Sequence, residues 1–272
     1  MNNLTKRTLS GIGFILIIIG ALKGGPLTFY ILFALVAGFC LFEFYNLALK
    51  NGAEVQKVTG IITGLVIFST NFLIAGRYLD NYWLLGIIPF IFLIFIKELY
   101  KNKKNPFRNI SYTLAGLIYP VLFLAPVSQI VFASFPQPGY NHHIVLSLFV
   151  LIWSNDSFAY IVGKRFGKHK LSSNISPQKS WEGLAGGLFF TILAALVLFY
   201  LIHHLNILSW IFLAIIVSVA GTFGDLAESS IKRSVGVKES GNLIPGHGGV
   251  LDRFDSAIFI FPLAYAFLKL FA

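Results

Sequence analysis

A single cysteine, Cys40, stands in the 272-residue sequence. That scarcity excludes an intrachain disulfide and a cysteine-based zinc site. The apolar run around Cys40 makes it a small buried hydrophobe. Charge is scarce as well, at 12% of residues, and no polar stretch is long enough to fold as a soluble domain by itself. Acidic residues number 11 against 21 lysines and arginines, for a net charge of +10. In a soluble protein that excess would suggest nucleic acid. Neither an RNA-binding signature nor aromatic–basic interleaving accompanies it, so no nucleic-acid partner is expected. Fixed-period repeats and low-complexity segments are also missing.

What the chain has in abundance is oil. Hydrophobic residues make up 56%, Phe alone contributes 28, and the mean hydropathy is +0.77. Repeated apolar runs near twenty residues predict an all-α, polytopic integral membrane protein, because a helix satisfies its backbone without water. Nine spans are expected, near 8–22, 26–49, 58–79, 82–99, 110–135, 143–163, 183–203, 207–232 and 248–271. Lys6-Arg7 followed by Ile12 to Leu22 resembles a signal peptide, but no clear small-x-small cleavage site follows, so it reads as a retained first helix. With the N-terminus in the cytoplasm, only Lys23, Arg77 and Lys269 fall outside, which favours N-terminus in and C-terminus out. The expected division is a helical region over 1–140 for support and oligomerisation and a catalytic membrane region over 141–272. His142-His143 and His203-His204 fall in short outer loops and read as loop or interface residues, since no ligand spacing accompanies them.

The ionisable residues gather in the second half, on the cytoplasmic side of this topology. In the eighth span Asp225, Ser229 and Lys232 are four and three apart and share a helical face, with Glu228 at its border. Asp225 lies about 10 Å of helix before Lys232. An intramembrane carboxylate at that depth calls for a cation or a strong partner. Glu228 with Lys232, at i and i+4, is an alternative internal ion pair. The ninth span opens on Asp252, Arg253 and Asp255 after the bend His247-Gly248-Gly249. Glycines there admit an anion to the backbone N–H groups, and the helix start adds positive potential. An ordinary capped helix start is the alternative.

In the sixth span Asp156 precedes Lys164 by about 12 Å of helix, near the depth of Asp225. Carboxylates from three spans can therefore converge at one level. Oxygen ligands without a Cys or His cluster favour Mg²⁺ over zinc. The loop Ser172 to Gly183, with Lys179, Ser180, Trp181 and Glu182, can wrap a nucleotide. Alternatively, it is a polar connection in which Ser180 caps the next helix.

These residues resemble the phosphatidate cytidylyltransferase family, also called CDP-diacylglycerol synthases. The resemblance is carried by Ser229-Ser230-Ile231-Lys232-Arg233, Lys238-Glu239 and Pro245 through Asp255 in the family's spacing. Gly224-Asp225-Leu226, Asp156 with Gly163 to Lys170, and Ser176-Pro177 to Gly183 extend it over roughly residues 150–260. The first 140 residues are similar only in hydropathy and length. Glu239 departs from the pattern, standing where the family usually has Asp.

The resemblance implies transfer of the cytidylyl group of CTP to phosphatidic acid, giving CDP-diacylglycerol and pyrophosphate. It implies Mg²⁺, held by Asp225 and Asp252, with K⁺ as a second cation and Asp156 as a third polar contributor. Lys232, Arg233 and Arg253 would meet phosphates. His247, Gly248 and Gly249 would shape the nucleotide pocket. Lys164 and the segment Lys179, Ser180 and Glu182 would contact CTP or the lipid headgroup, with Ser229 and Lys238 also in the substrate-binding set. A homodimer in a bacterial cytoplasmic (inner) membrane, with the site facing the cytoplasm, completes the expectation. Two rivals remain at this point. A CTP-dependent polyprenol or dolichol kinase would keep the nucleotide and transfer the terminal phosphoryl group. An ion transporter would carry the carboxylates on its path, but no inverted repeat is evident.

Overall fold

The computed structural model describes residues 3–101, 103–133, 139–244, 246 and 248–271, with the side chains of 3–7 left undescribed. The predicted fold class holds. Among the described residues eight helices are long and apolar enough to cross a membrane: Pro26–Lys50, Lys57–Ala75, Asn81–Leu99, Pro106–Phe132, His143–Phe166, Trp181–Leu201, Ile207–Ser234 and Leu251–Phe271. A shorter apolar helix, Thr8–Lys23, occupies the place of the expected first span.

The chain forms two compact units, residues 1–129 with 234–254, and residues 130–233 with 255–272. The first unit therefore takes in the segment 234–254, which the sequence reading placed with the C-terminal region. Its helices are α1 (Asn3–Lys23), α2 (Pro26–Lys50), α3 (Lys57–Ala75), α4 (Ile88–Leu99), α5 (Pro106–Gly116) and α6 (Pro126–Phe132, most of which lies in it). Pro26, Pro89 and Pro106 sit in the first turns of α2, α4 and α5, where a missing N–H costs nothing. Between α5 and α6 the helix widens into a π turn over Leu117–Leu122 around Pro120. The proline removes one backbone donor inside the span, and the wider turn accommodates the interruption.

Tyr45 organises this unit. It is fully buried, its hydroxyl donates to the Thr113 carbonyl at 2.9 Å, and its ring fills the space that a Cβ would need at Gly60 of α3 and Gly116 of α5. Small residues allow that close approach of helices, which drives association where lipid is as apolar as the core. A buried polar network closes the ends of α3, α4 and α5. Glu98 accepts from Gln56 Nε2 at 2.9 Å and from Asn109 Nδ2 at 2.7 Å, and Gln56 Nε2 also donates to the Ile94 carbonyl.

The second unit holds α7 (His143–Phe166), α8 (Trp181–Leu201), α9 (Ile207–Ser234) and most of α10 (Leu251–Phe271). Helices α7 and α8 lie close because Gly183 and Gly187 face Gly163, Ala159 and Asn155 across the seam. Ser218 of α9 donates to Asn155 Oδ1 of α7 at 2.8 Å. Ser256 of α10 donates to the Gly221 carbonyl of α9 at 3.1 Å, and Gly224 packs against the Asp255 backbone and Phe259. One element departs from the all-helical expectation. The 167–180 connection folds into a short antiparallel ribbon, β1 (Lys170–Ser172) with β2 (Ser176–Ser180).

Candidate functional site

The second unit places two carboxylates within electrostatic reach of a third. Asp255 of α10 interacts electrostatically with Asp225 of α9 and Asp156 of α7, and with Lys179 of β2. Asp225 is half-buried, and Lys179 Nζ lies 2.6 Å from its Oδ2. Ser229 Oγ donates to Asp225 Oδ1 at 3.1 Å, as their spacing on one helical face predicts. Lys179 also donates to the Thr222 carbonyl, which ties the ribbon to α9. Asp156 is exposed at the protein surface. Three acidic groups beside one lysine are locally negative, and carboxylate oxygens are the donors that a hard divalent cation takes. Among the described residues no group of three or more His, Cys, Asp or Glu is placed closely enough to hold a metal ion by itself. The Lys179 ammonium is the positive charge paired with Asp225.

The ribbon is anchored at both ends. Ser180 caps α8, accepting from Gly183 N at 3.1 Å, as the capping alternative expects. Glu182, in the first turn of α8, accepts from the backbone N–H of Lys168 and His169 and pairs with His169 Nδ1 at 2.6 Å. Glu182 therefore shapes the turn after α7, whose basic residues Lys164, Arg165 and Lys168 remain exposed. Lys164 Nζ lies over the Tyr160 ring.

Lys232 is buried and paired with Glu228 at the i, i+4 spacing. The ion-pair alternative thus describes this lysine, whereas the neighbouring Arg233 is exposed. His142, His143 and His204 pack on one another: the rings of His142 and His143 are 4.4 Å apart and those of His143 and His204 5.2 Å apart, and Asn141 Nδ2 is 3.3 Å from His204 Nε2.

The first unit holds the glycine loop and the start of α10. Ile244 N donates to the Gly248 carbonyl at 3.0 Å, and Gly246 and Gly248 have φ of 75° and 83°. Those conformations require glycine at both corners of the turn. Pro245 and His247 lie outside the described residues. Asp252 accepts from Gly249 N at 2.8 Å and from Ser240 N at 3.0 Å. It therefore caps its own helix and holds the Ser240 strand of the loop. Arg253 and Lys238 are exposed.

Sequence reading missed Glu43 of α2. It is 1% exposed, and its carboxylate accepts from Ser240 Oγ at 3.0 Å, Val250 N at 3.1 Å and Leu251 N at 2.8 Å. The signal was present, because Glu43 is the one acidic residue in the 25-residue apolar run Pro26–Lys50, and an ionisable group inside a membrane span marks function by default. His169 carried no comparable signal.

The family model described as "Cytidylyltransferase family" matches residues 5–271. The chain belongs to the cytidylyltransferase family. The match extends the resemblance to the first 140 residues, which the sequence motifs alone did not reach. Among curated proteins, this cytidylyltransferase-family chain is similar to the phosphatidate cytidylyltransferase of Staphylococcus haemolyticus, 34% identical over 94% of this chain and 96% of the relative. The Staphylococcus aureus (strain COL) protein of the same name is 34% identical and the Staphylococcus epidermidis one 33%, with the same coverage of both chains.

Proposed function

We propose that this chain is a phosphatidate cytidylyltransferase, joining the cytidylyl group of CTP to phosphatidic acid to give CDP-diacylglycerol and pyrophosphate for phospholipid synthesis. The observation that carries the proposal is similarity to phosphatidate cytidylyltransferases along nearly the whole of both chains. The carboxylate cluster supports it with suitable chemistry.

In the reaction, a phosphate oxygen of the lipid attacks the α-phosphorus of CTP. The bond from that phosphorus to the bridging oxygen of the β-phosphate breaks, and its electron pair leaves with pyrophosphate. No covalent enzyme intermediate is needed. The protein positions two anionic reactants and offsets their charge. Exposed Lys164, Arg233, Lys238 and Arg253 supply that positive charge in this reading, and Lys179 supplies it beside Asp225. Buried Lys232 contributes through Glu228, keeping the end of α9 in place. Gly248 and Gly249 shape the nucleotide pocket in this reading, Gly249 giving its N–H to Asp252, and Ser180 and Glu182 fix the ribbon.

Mg²⁺ is the proposed cofactor, with K⁺ as a second cation. Asp225 and Asp252 are the proposed ligands, and Asp156 and Asp255 add negative potential in the second unit. Bound there, the ion would neutralise phosphate charge as it develops. Asp252 can serve while capping its helix, because a carboxylate accepts about four hydrogen bonds. The proposed setting is a bacterial cytoplasmic membrane with the polar residues facing the cytoplasm, and a homodimer is the proposed assembly.

The test is incubation of purified protein with CTP labelled in the α-phosphate and phosphatidic acid, followed by product identification. Labelled CDP-diacylglycerol with pyrophosphate is expected. Release of CDP with an unlabelled lipid phosphate would support the kinase reading.

A further inference from the structure

Glu43 is a carboxylate buried within a membrane-crossing helix, and nothing in the reaction uses it directly. Burying such a charge is costly unless every oxygen is met by donors. Three donors meet it, all from the segment 240–251 of the same unit: the Ser240 hydroxyl, Val250 N–H and Leu251 N–H. The two backbone groups belong to the start of α10, where N–H groups have no partner within the helix. A negative charge at that end is also favoured by the helix dipole. Two glycines make room for the carboxylate. A Cβ at Gly241 or at Gly249 would overlap the Glu43 side chain, and one at Gly249 would overlap Ser240 as well. Ser240 joins the two acidic residues of the loop, giving its hydroxyl to Glu43 and its backbone N–H to Asp252.

We propose that Glu43 is the positioning residue of the glycine loop. It clamps the two ends of that loop together and fixes the first turn of α10, from which Asp252 and Arg253 project. Gly241 and Gly249 are glycines in this arrangement so that the clamp can close. The role at catalysis rests on the cytidylyltransferase reading above, whereas the clamp itself does not.

The test compares Glu43→Gln with the unaltered full-length protein in detergent, by hydrogen exchange and by steady-state kinetics. The amide replaces one of the two acceptor oxygens with a donor, so at least one of the three bonds is lost. Peptides covering 240–252 are expected to exchange faster while other spans keep their protection. The kcat is expected to fall roughly tenfold to a hundredfold, the range for removing a group that orients a ligating one, with KM for phosphatidic acid changed less than about threefold. Unchanged exchange in 240–252, a kcat within about twofold, or exchange raised uniformly along the chain would each overturn the proposal. If Glu43→Gln does not accumulate, Ser240→Ala removes one bond and should give the same local exchange pattern with a smaller fall in kcat. An unaltered pattern in that variant overturns it too. Should the unaltered protein make no CDP-diacylglycerol, the exchange measurement still reads the clamp, so the two failures are distinguishable.

Discussion

Lys179 Nζ lies 2.6 Å from Asp225 Oδ2, joining the short ribbon after α7 to a carboxylate on α9. The pair places the one lysine of β2 beside a proposed metal ligand. Neutralising Asp225 would break that ion pair and remove a proposed metal ligand. Asp225→Asn is therefore expected to lower turnover on the order of a hundredfold or more while the protein still inserts and elutes as the unaltered form does. Activity near normal with CTP and Mg²⁺ would take Asp225 out of the site. Asp252→Asn, assayed in the same way, should behave alike.

Lys179→Met tests the partner. It is expected to reduce kcat/KM for CTP at least tenfold, and Lys179→Arg should recover part of the loss, because charge survives while the point-like ammonium does not. Equal activity of the Met and Arg variants would show that charge at this position is irrelevant.

The proposed cofactor makes a separate prediction. EDTA should silence the enzyme, and Mg²⁺ added back should restore it, read as CDP-diacylglycerol formed per minute. Titrating Mg²⁺ into the EDTA-treated protein should also raise its thermal midpoint, since a ligand that binds only the folded state stabilises it. Turnover unaffected by chelation would contradict the metal proposal.

Gly60 and Gly116 accommodate the Tyr45 ring, so either glycine changed to alanine forces the ring or a helix to move. A destabilisation of about 1–3 kcal/mol is expected for each, read as a lower thermal midpoint in detergent. Adding Tyr45→Phe, which removes the hydroxyl that lies nearest to a Cβ at Gly60, should partly relieve the Gly60→Ala defect. Full additivity of the two changes would argue against a shared steric cause.

His204, in the connection between α8 and α9, has its pKa pushed down, first by burial and then by the neighbouring charge on His143. Protonation therefore favours the unfolded chain. The stability from keeping His204 neutral is fully present above the ordinary histidine value of about 6.5. It is lost as the pH falls from there through the lowered folded pKa. The thermal midpoint of the unaltered protein should consequently drop more between pH 7 and pH 5 than that of His204→Gln. Parallel curves would remove His204 as a contributor.

Much of the second half was legible along the chain. Asp225 and Ser229 meet because four residues bring side chains to one helical face, and Glu228 and Lys232 pair for the same reason. Ser180 announced its capping role by standing just before an apolar run. The ribbon was less visible, since Lys170–Ser180 lacks the alternation that marks a strand and is held by Glu182 and Lys179 from its ends. The grouping of 234–254 with the first unit could not be read at all, because Glu43 lies about two hundred residues before the loop it holds.

Composition and apolar run length by themselves determined that this is a helical membrane protein, because lipid leaves the backbone no other partner than itself. Residue order along single helices likewise determined which neighbours would share a face. Only the tertiary structure decided that Glu43 grips the glycine loop and that Lys179 meets Asp225. Such contacts join segments distant in the chain, and no local periodicity encodes which buried charge will find which donor.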